Sequence, residues 1–125
     1  MNKYYFTLSI HFKSDYDVKN LQNILKLKPY SVTSFADSKG KEKSAKFVYK
    51  TGTLNYIFTD DMFAKFIEKI QPKLKGMKEI LQANNGFCVF RIIFEELKEK
   101  PCISLNSQTI AILNDLSANF EVDFY

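Results

Sequence analysis

The 125 residues are 46% apolar, with 12 Phe, 7 Tyr and no Trp, and only 3 Pro and 4 Gly interrupt them. This composition fits one globular domain, residues 1–125, that buries a core without metal or disulfide; it excludes a disordered or fibrous chain, and no apolar run approaches the roughly 20 residues of a membrane span. The net charge of +4 rests on lysine, because Arg91 is the only arginine; scattered lysine supplies solubility more than bidentate phosphate recognition, so basicity alone argues little for a nucleic acid partner.

Residues 4–12 alternate strictly. Tyr4, Phe6, Leu8, Ile10 and Phe12 fall on one face and Tyr5, Thr7, Ser9 and His11 on the other, which predicts a strand with one packed and one wet face. Such alternation is unlike a signal-peptide core, and the chain reads as cytoplasmic. Ser14 to Asp17 offer capping oxygens for a helix striped by Val18, Leu21, Ile24 and Leu25, stopped at Lys28-Pro29. Residues 36–46 are polar and charged around Gly40 and read as an exposed, flexible loop.

Phe47/Tyr49 and Leu54/Tyr56/Phe58 then form two strand-like runs around Thr51-Gly52, a hairpin or one bent strand. Thr59, Asp60 and Asp61 place caps and negative charge before a helical stripe from Phe63 to Leu81. Pro72 inside it predicts a kink or two abutting helices. Residues 87–94 are apolar except for Arg91, the pattern of a strand covered on both faces and central in its sheet, with Phe87 and Phe90 in the core. After the crossover at Pro101, residues 102–104 offer a short edge pairing, and Ser107 caps a helix whose apolar positions are Ile110, Ile112, Leu113 and Leu116. A last strand turns Phe120, Val122 and Phe124 inward and Glu121, Asp123 and Tyr125 outward. The fold class is α+β: a four- to five-stranded mixed sheet with helices on one face, for which a duplicated ferredoxin-like plan is a candidate because residues 4–27 and 87–118 each read as strand then helix.

Several of these segments resemble a bacterial family known as domain of unknown function 4279. The resemblance is carried by Phe47-Val48-Tyr49, the helix of residues 59–81, the strand of residues 89–94, Pro101, the helix of residues 105–116 and the ending Glu121-Val122-Asp123-Phe124-Tyr125, with Leu25 and Pro29 upstream. The tryptophan many members carry near the second strand is absent here, and Phe47 takes its place. The resemblance implies an architecture and no catalytic residue, and similarity in size to immunity proteins that neutralise toxins is analogy.

Catalytic patterns are missing. His11 is the only histidine and has no second ligand beside it; Cys88 and Cys102 are too few for a disulfide framework and wrongly spaced for zinc. Asp60-Asp61 and Glu95-Glu96 are adjacent, and adjacent side chains do not face each other as an acid/base dyad must. The stretch from Asn85 to Ile92 approaches the base-stacking strand of RNA-recognition domains, yet Val89 stands where a second ring is required. Arg91 must find acceptors inside its apolar run, and Glu121 or Asp123 are the expected partners.

The expectation is a binding protein without cofactor, metal or catalytic residues, either monomeric or homodimeric. Its leading partner is a protein, as for a toxin-neutralising immunity protein, met through Lys39, Lys41, Lys43, Lys46, Tyr5 and His11. The alternative is a nucleic acid held by the lysine-rich surface or the open sheet face.

Overall fold

The computed structural model describes residues 2–40, 42–54, 60–101 and 103–125, the side chains of residues 60–62 excepted. In chain order the elements are β1 (Lys3–Phe12), α1 (Lys19–Leu25), β2 (Ser31–Thr33), β3 (Ala45–Lys50), α2 (Asp60–Ile70), a 3-10 turn (Gln71–Lys73), α3 (Leu74–Ala83), β4 (Gly86–Glu96), α4 (Ser107–Asp115) and β5 (Asn119–Phe124). The strands form one sheet in the order β2-β3-β1-β4-β5, parallel between β4 and β5 and antiparallel elsewhere. The protein is α+β with a five-stranded mixed sheet.

Alternation in β1 decides where the core lies. Tyr4, Phe6, Leu8, Ile10 and Phe12 are all fully buried, and Cys88, Phe90, Ile92 and Phe94 of β4 meet them on the same face. Phe63 and Phe66 of α2, Met77 and Leu81 of α3, Leu21 and Leu25 of α1, and Ile112 and Leu113 of α4 join that single cluster. All four helices thus bury their apolar sides against one sheet face.

The two strand–helix units are not equivalents. β1 and β2 run parallel with β3 inserted between them, whereas β4 and β5 pair directly across α4. A duplicated ferredoxin-like plan would split both units, so this sheet order departs from it. Beyond β3 the chain stays on β1: Thr51 donates its N–H to the Phe6 carbonyl at 3.0 Å, and Leu54 and Tyr4 exchange backbone hydrogen bonds at 2.7 and 3.0 Å. Of the two readings of this stretch, the bent strand fits; Tyr56 and Phe58 lie outside the described residues, as do Thr59, Cys102 and the side chains of Asp60 and Asp61.

Local rules were overridden in identifiable places. Helix α1 ends three residues before Lys28-Pro29 begins to matter, because Lys26 turns left-handed (φ 54°) and donates its N–H to Gln22. β2 lies in a stretch without strand periodicity and is held by β3 alone. Ala45 and Lys46, read as the end of the loop, open β3 instead, with Ala45 fully buried. Asn106, not Ser107, caps α4, its Oδ1 accepting from Thr109 N–H at 2.8 Å. Ile110 of that helix is 53% exposed, and Thr109 takes the buried position. Pro72 sits in the 3-10 turn that joins two abutting helices, since proline cannot donate to the preceding turn.

Between α3 and β4 the chain reverses through Asn85 (φ 53°) into Gly86. A Cβ on Gly86 would lie 2.7 Å from two Phe12 ring atoms and 2.9 Å from Leu81 Cδ2, closer than packed carbons approach. Neither neighbour is free to yield, because both are buried. Gly86→Ala is expected to lower stability by about 1–3 kcal/mol, as overpacking does; denaturant unfolding measures it, and a loss under about 0.5 kcal/mol, the scale of a neutral surface change, would refute the packing argument.

Candidate functional site

The face of the sheet opposite the helices is built from the odd residues of β1 and β4 and the residues that pair with them. Register places Thr33, Lys46, His11 and Phe87 in one row, Ser31, Val48, Ser9, Val89 and Asn119 in the next, then Lys50, Thr7, Arg91 and Glu121, and finally Tyr5, Ile93 and Asp123. Thr7 and Ser9 are short and central, so longer neighbours on both sides bury them. Among the described residues Thr7 Oγ1 has no hydrogen-bond partner.

Arg91 stands in the middle of this face. Its Nε donates to Glu121 Oε2 at 2.6 Å, Asp123 Oδ2 lies 3.9 Å away, and Nη1 donates to Ser9 Oγ at 3.3 Å. Parallel pairing puts Glu121 directly beside Arg91 and Asp123 two residues further along the same face. The guanidinium is therefore satisfied within the fold. Its side chain is 27% exposed and that of Glu121 46%, so solvent screens the pair and it contributes about 1 kcal/mol or less.

The sequence-derived site residues separate into two ends of this face. At one end, His11 stacks on Phe87 with centroids 4.8 Å apart and planes 5° apart. Lys46 is the register partner of His11, and Lys13, Glu42, Lys43, Ser44 and Phe87 line an adjoining groove of about 340 Å³. At the other end, Lys50 Nζ lies 4.3 Å from the Tyr5 ring centroid and 5.2 Å from that of Tyr30. Lys39 is exposed and outside the groove lining, and Lys41 lies outside the described residues.

Phe87 corrects the expectation of a core residue: it is 36% exposed and faces away from the helices. Parity carries the reason, for Phe87 and Arg91 are four residues apart on one strand and must share a face. The cation–π arrangement of Lys50 with Tyr5 and Tyr30 had no sequence signal, because it depends on the pairing of β3 with β1.

Burial first, then the charges of Lys46 and Arg91, hold the His11 imidazole below its ordinary 6.5. Burial pushes the Cys88 thiol up to about 12, leaving an unreactive core side chain. The Tyr5 hydroxyl is raised from 10.0, by burial and then by Tyr125 and Glu95. Among the described residues no three His, Cys, Asp or Glu side chains converge as metal ligands would, and no helix is long and apolar enough to cross a membrane.

A five-stranded α+β domain with its helices on one side and a polar-aromatic face on the other is the class that fold and site define. The family described as Domain of unknown function (DUF4279) matches residues 2–125, and the chain belongs to that family. No curated protein and no solved structure matches it.

Two measurements check the electrostatics. Arg91→Met and Glu121→Gln should each lower stability by about 0.5–1 kcal/mol, with a double-mutant coupling of similar size that shrinks at high salt; additivity of the two would mean that the pair contributes nothing. For His11, the folded state binds protons less readily than the unfolded state. Stability is then full above pH 6.5 and falls as pH drops through 6.5 toward the lower folded value. His11→Gln should flatten that decline between the two values, and an NMR titration placing His11 at or above 6.5 would contradict it.

Proposed function

We propose that this chain is a cytoplasmic, non-enzymatic binding protein of the toxin-neutralising kind, which engages a protein partner through the uncovered sheet face and the lysine-bearing segment beside it. The observation that supports this best is the composition of the face. Rings held upright at its two ends, Phe87 and Tyr5, flank short buried hydroxyls and are surrounded by Lys13, Lys43, Lys46 and Lys50. Aromatic anchors inside a polar rim are the usual anatomy of a protein–protein interface. The unreactive Cys88 and the stacked His11, held neutral at pH 7, also favour binding over catalysis. The cations favour an acidic partner surface, so a toxin other than a nuclease suits this chain better than one whose inhibitor must itself be acidic.

A second reading has one specific observation in its favour. Phe87 stands partly exposed on the open face, where a base could stack on its ring. The readings differ in salt dependence and in partner, because a polynucleotide would be lost steeply as salt rises.

The test is co-expression with the product of the gene adjoining this one. The expected result is that the neighbour arrests growth, that this chain restores it, and that Lys46→Glu and Tyr5→Ala weaken the purified complex about tenfold or more. A harmless neighbour, or a neighbour that forms no complex with the wild-type chain, would remove the toxin-neutralising reading.

A further inference from the structure

We propose that the groove beside Phe87 binds a nucleotide, with the base laid on the Phe87 ring and the phosphate held by Lys13 and Lys43. This goes beyond the protein-binding reading, since it needs no protein partner and uses one end of the face only. The antiparallel register of β1 and β4 sets His11 opposite Phe87, and their rings lie parallel at 4.8 Å. That stack fixes the Phe87 ring at the rim of the sheet, where it remains 36% exposed and forms a wall of the groove. A groove of about 340 Å³ reaches the lower end of small-molecule sites, roughly 300–1,000 Å³.

Charge then selects the ligand. The groove carries Lys13 and Lys43 against one acid, Glu42, with Lys46 beside His11. Among the described residues none of these three lysines has an ion-pair partner. Elsewhere on this face and at its margin the cations are engaged: Arg91, in the middle, by Glu121 and Asp123, Lys50 by the Tyr5 and Tyr30 rings, and Lys3 and Lys98 by Glu96. The segment bearing Lys43 is tied down, because Ser44 N–H donates to Ser38 Oγ at 3.1 Å. An inorganic anion would leave the ring unused, and a neutral aromatic would leave the lysines unused. A flat base carrying a phosphate uses both. Held by lysines alone, the phosphate meets point charges rather than a fixed fork, so binding follows salt closely. The same chemistry is offered by a free nucleotide and by one nucleotide of a single strand.

The test is an NMR titration of the isotope-labelled full chain at low salt with AMP, adenosine, inorganic phosphate and a short oligodeoxyadenylate. AMP is expected to move the His11 ring and Phe87 amide resonances, with adenosine and phosphate each about tenfold weaker or more. Phe87→Ala should weaken AMP binding about fivefold or more, and Lys43→Glu likewise, while Lys98→Glu leaves it unchanged. Phe87→Leu keeps apolar bulk without a ring and should weaken it too. An oligonucleotide that binds more tightly than AMP, with a steeper salt dependence, assigns the site to single strands; equal affinity assigns it to free nucleotides. If neither ligand moves His11 or Phe87, or if Phe87→Ala binds AMP as the wild type does, the proposal is overturned, whatever the outcome of co-expression.

Discussion

Two rings of one helix hold this sheet together. Phe63 of α2 meets Phe6 of β1 at 5.1 Å, Phe90 of β4 at 6.0 Å and Phe120 of β5 at 5.7 Å. Phe66, one turn on, meets Phe6 at 6.0 Å, Phe90 at 5.9 Å and Tyr49 of β3 at 5.6 Å. Four of the five strands are therefore contacted by a single helical turn, mostly edge to face, the arrangement favoured by ring quadrupoles. Phe120 thereby ties the edge strand β5, which pairs only with β4, to the centre of the sheet. Everything on the opposite face follows from the commitment of the even residues to this cluster.

Once the even residues are fixed inward, a strand has no freedom left for the odd ones. Arg91 is carried outward with Phe87, and the strand that reads as covered on both faces is covered on one. Val89 and Ile93 are nevertheless buried, and they do not belong to the core cluster. Their cover comes from neighbours within the sheet face itself, in the rows shared with Val48 and Ser9 and with Tyr5 and Asp123. Apolarity along β4 thus has two different causes on its two faces. This is why continuous apolar sequence was a poor guide to helix cover here.

What was legible in the sequence was whatever depended on period and parity. β1, the two helices around Pro72 and the outward acids of β5 could be read because each repeats its signal over several residues. β2 has three residues, too few for alternation to register, and exists through pairing with β3. The cap of α4 shifted by one residue because Asn106 and Ser107 are both good capping residues, and only backbone geometry distinguishes them. The groove could not be read at all. It joins Lys13, Lys43 and Phe87, residues brought together by strand order rather than by spacing.

Strand order also sorts the charges along the open face. β5 brings Glu121 and Asp123 to Arg91 and neutralises the one cation that lies nearest the apolar strand centre. Among the described residues no acidic strand reaches the opposite end, where β3 begins and β1 finishes; Lys13, Lys43 and Lys46 gather there, with Glu42 the one acid among the described residues lining the groove. A fold that spends its β5 carboxylates on Arg91 leaves a positive potential concentrated at the other end, and that potential also helps to hold His11 neutral through Lys46. A neutral imidazole stacks on Phe87 without bringing a further buried charge, which would carry a desolvation penalty. The ring wall of the groove thus comes from the β1–β4 register, and the cations around it are kept apart from the β5 carboxylates, which lie beside Arg91.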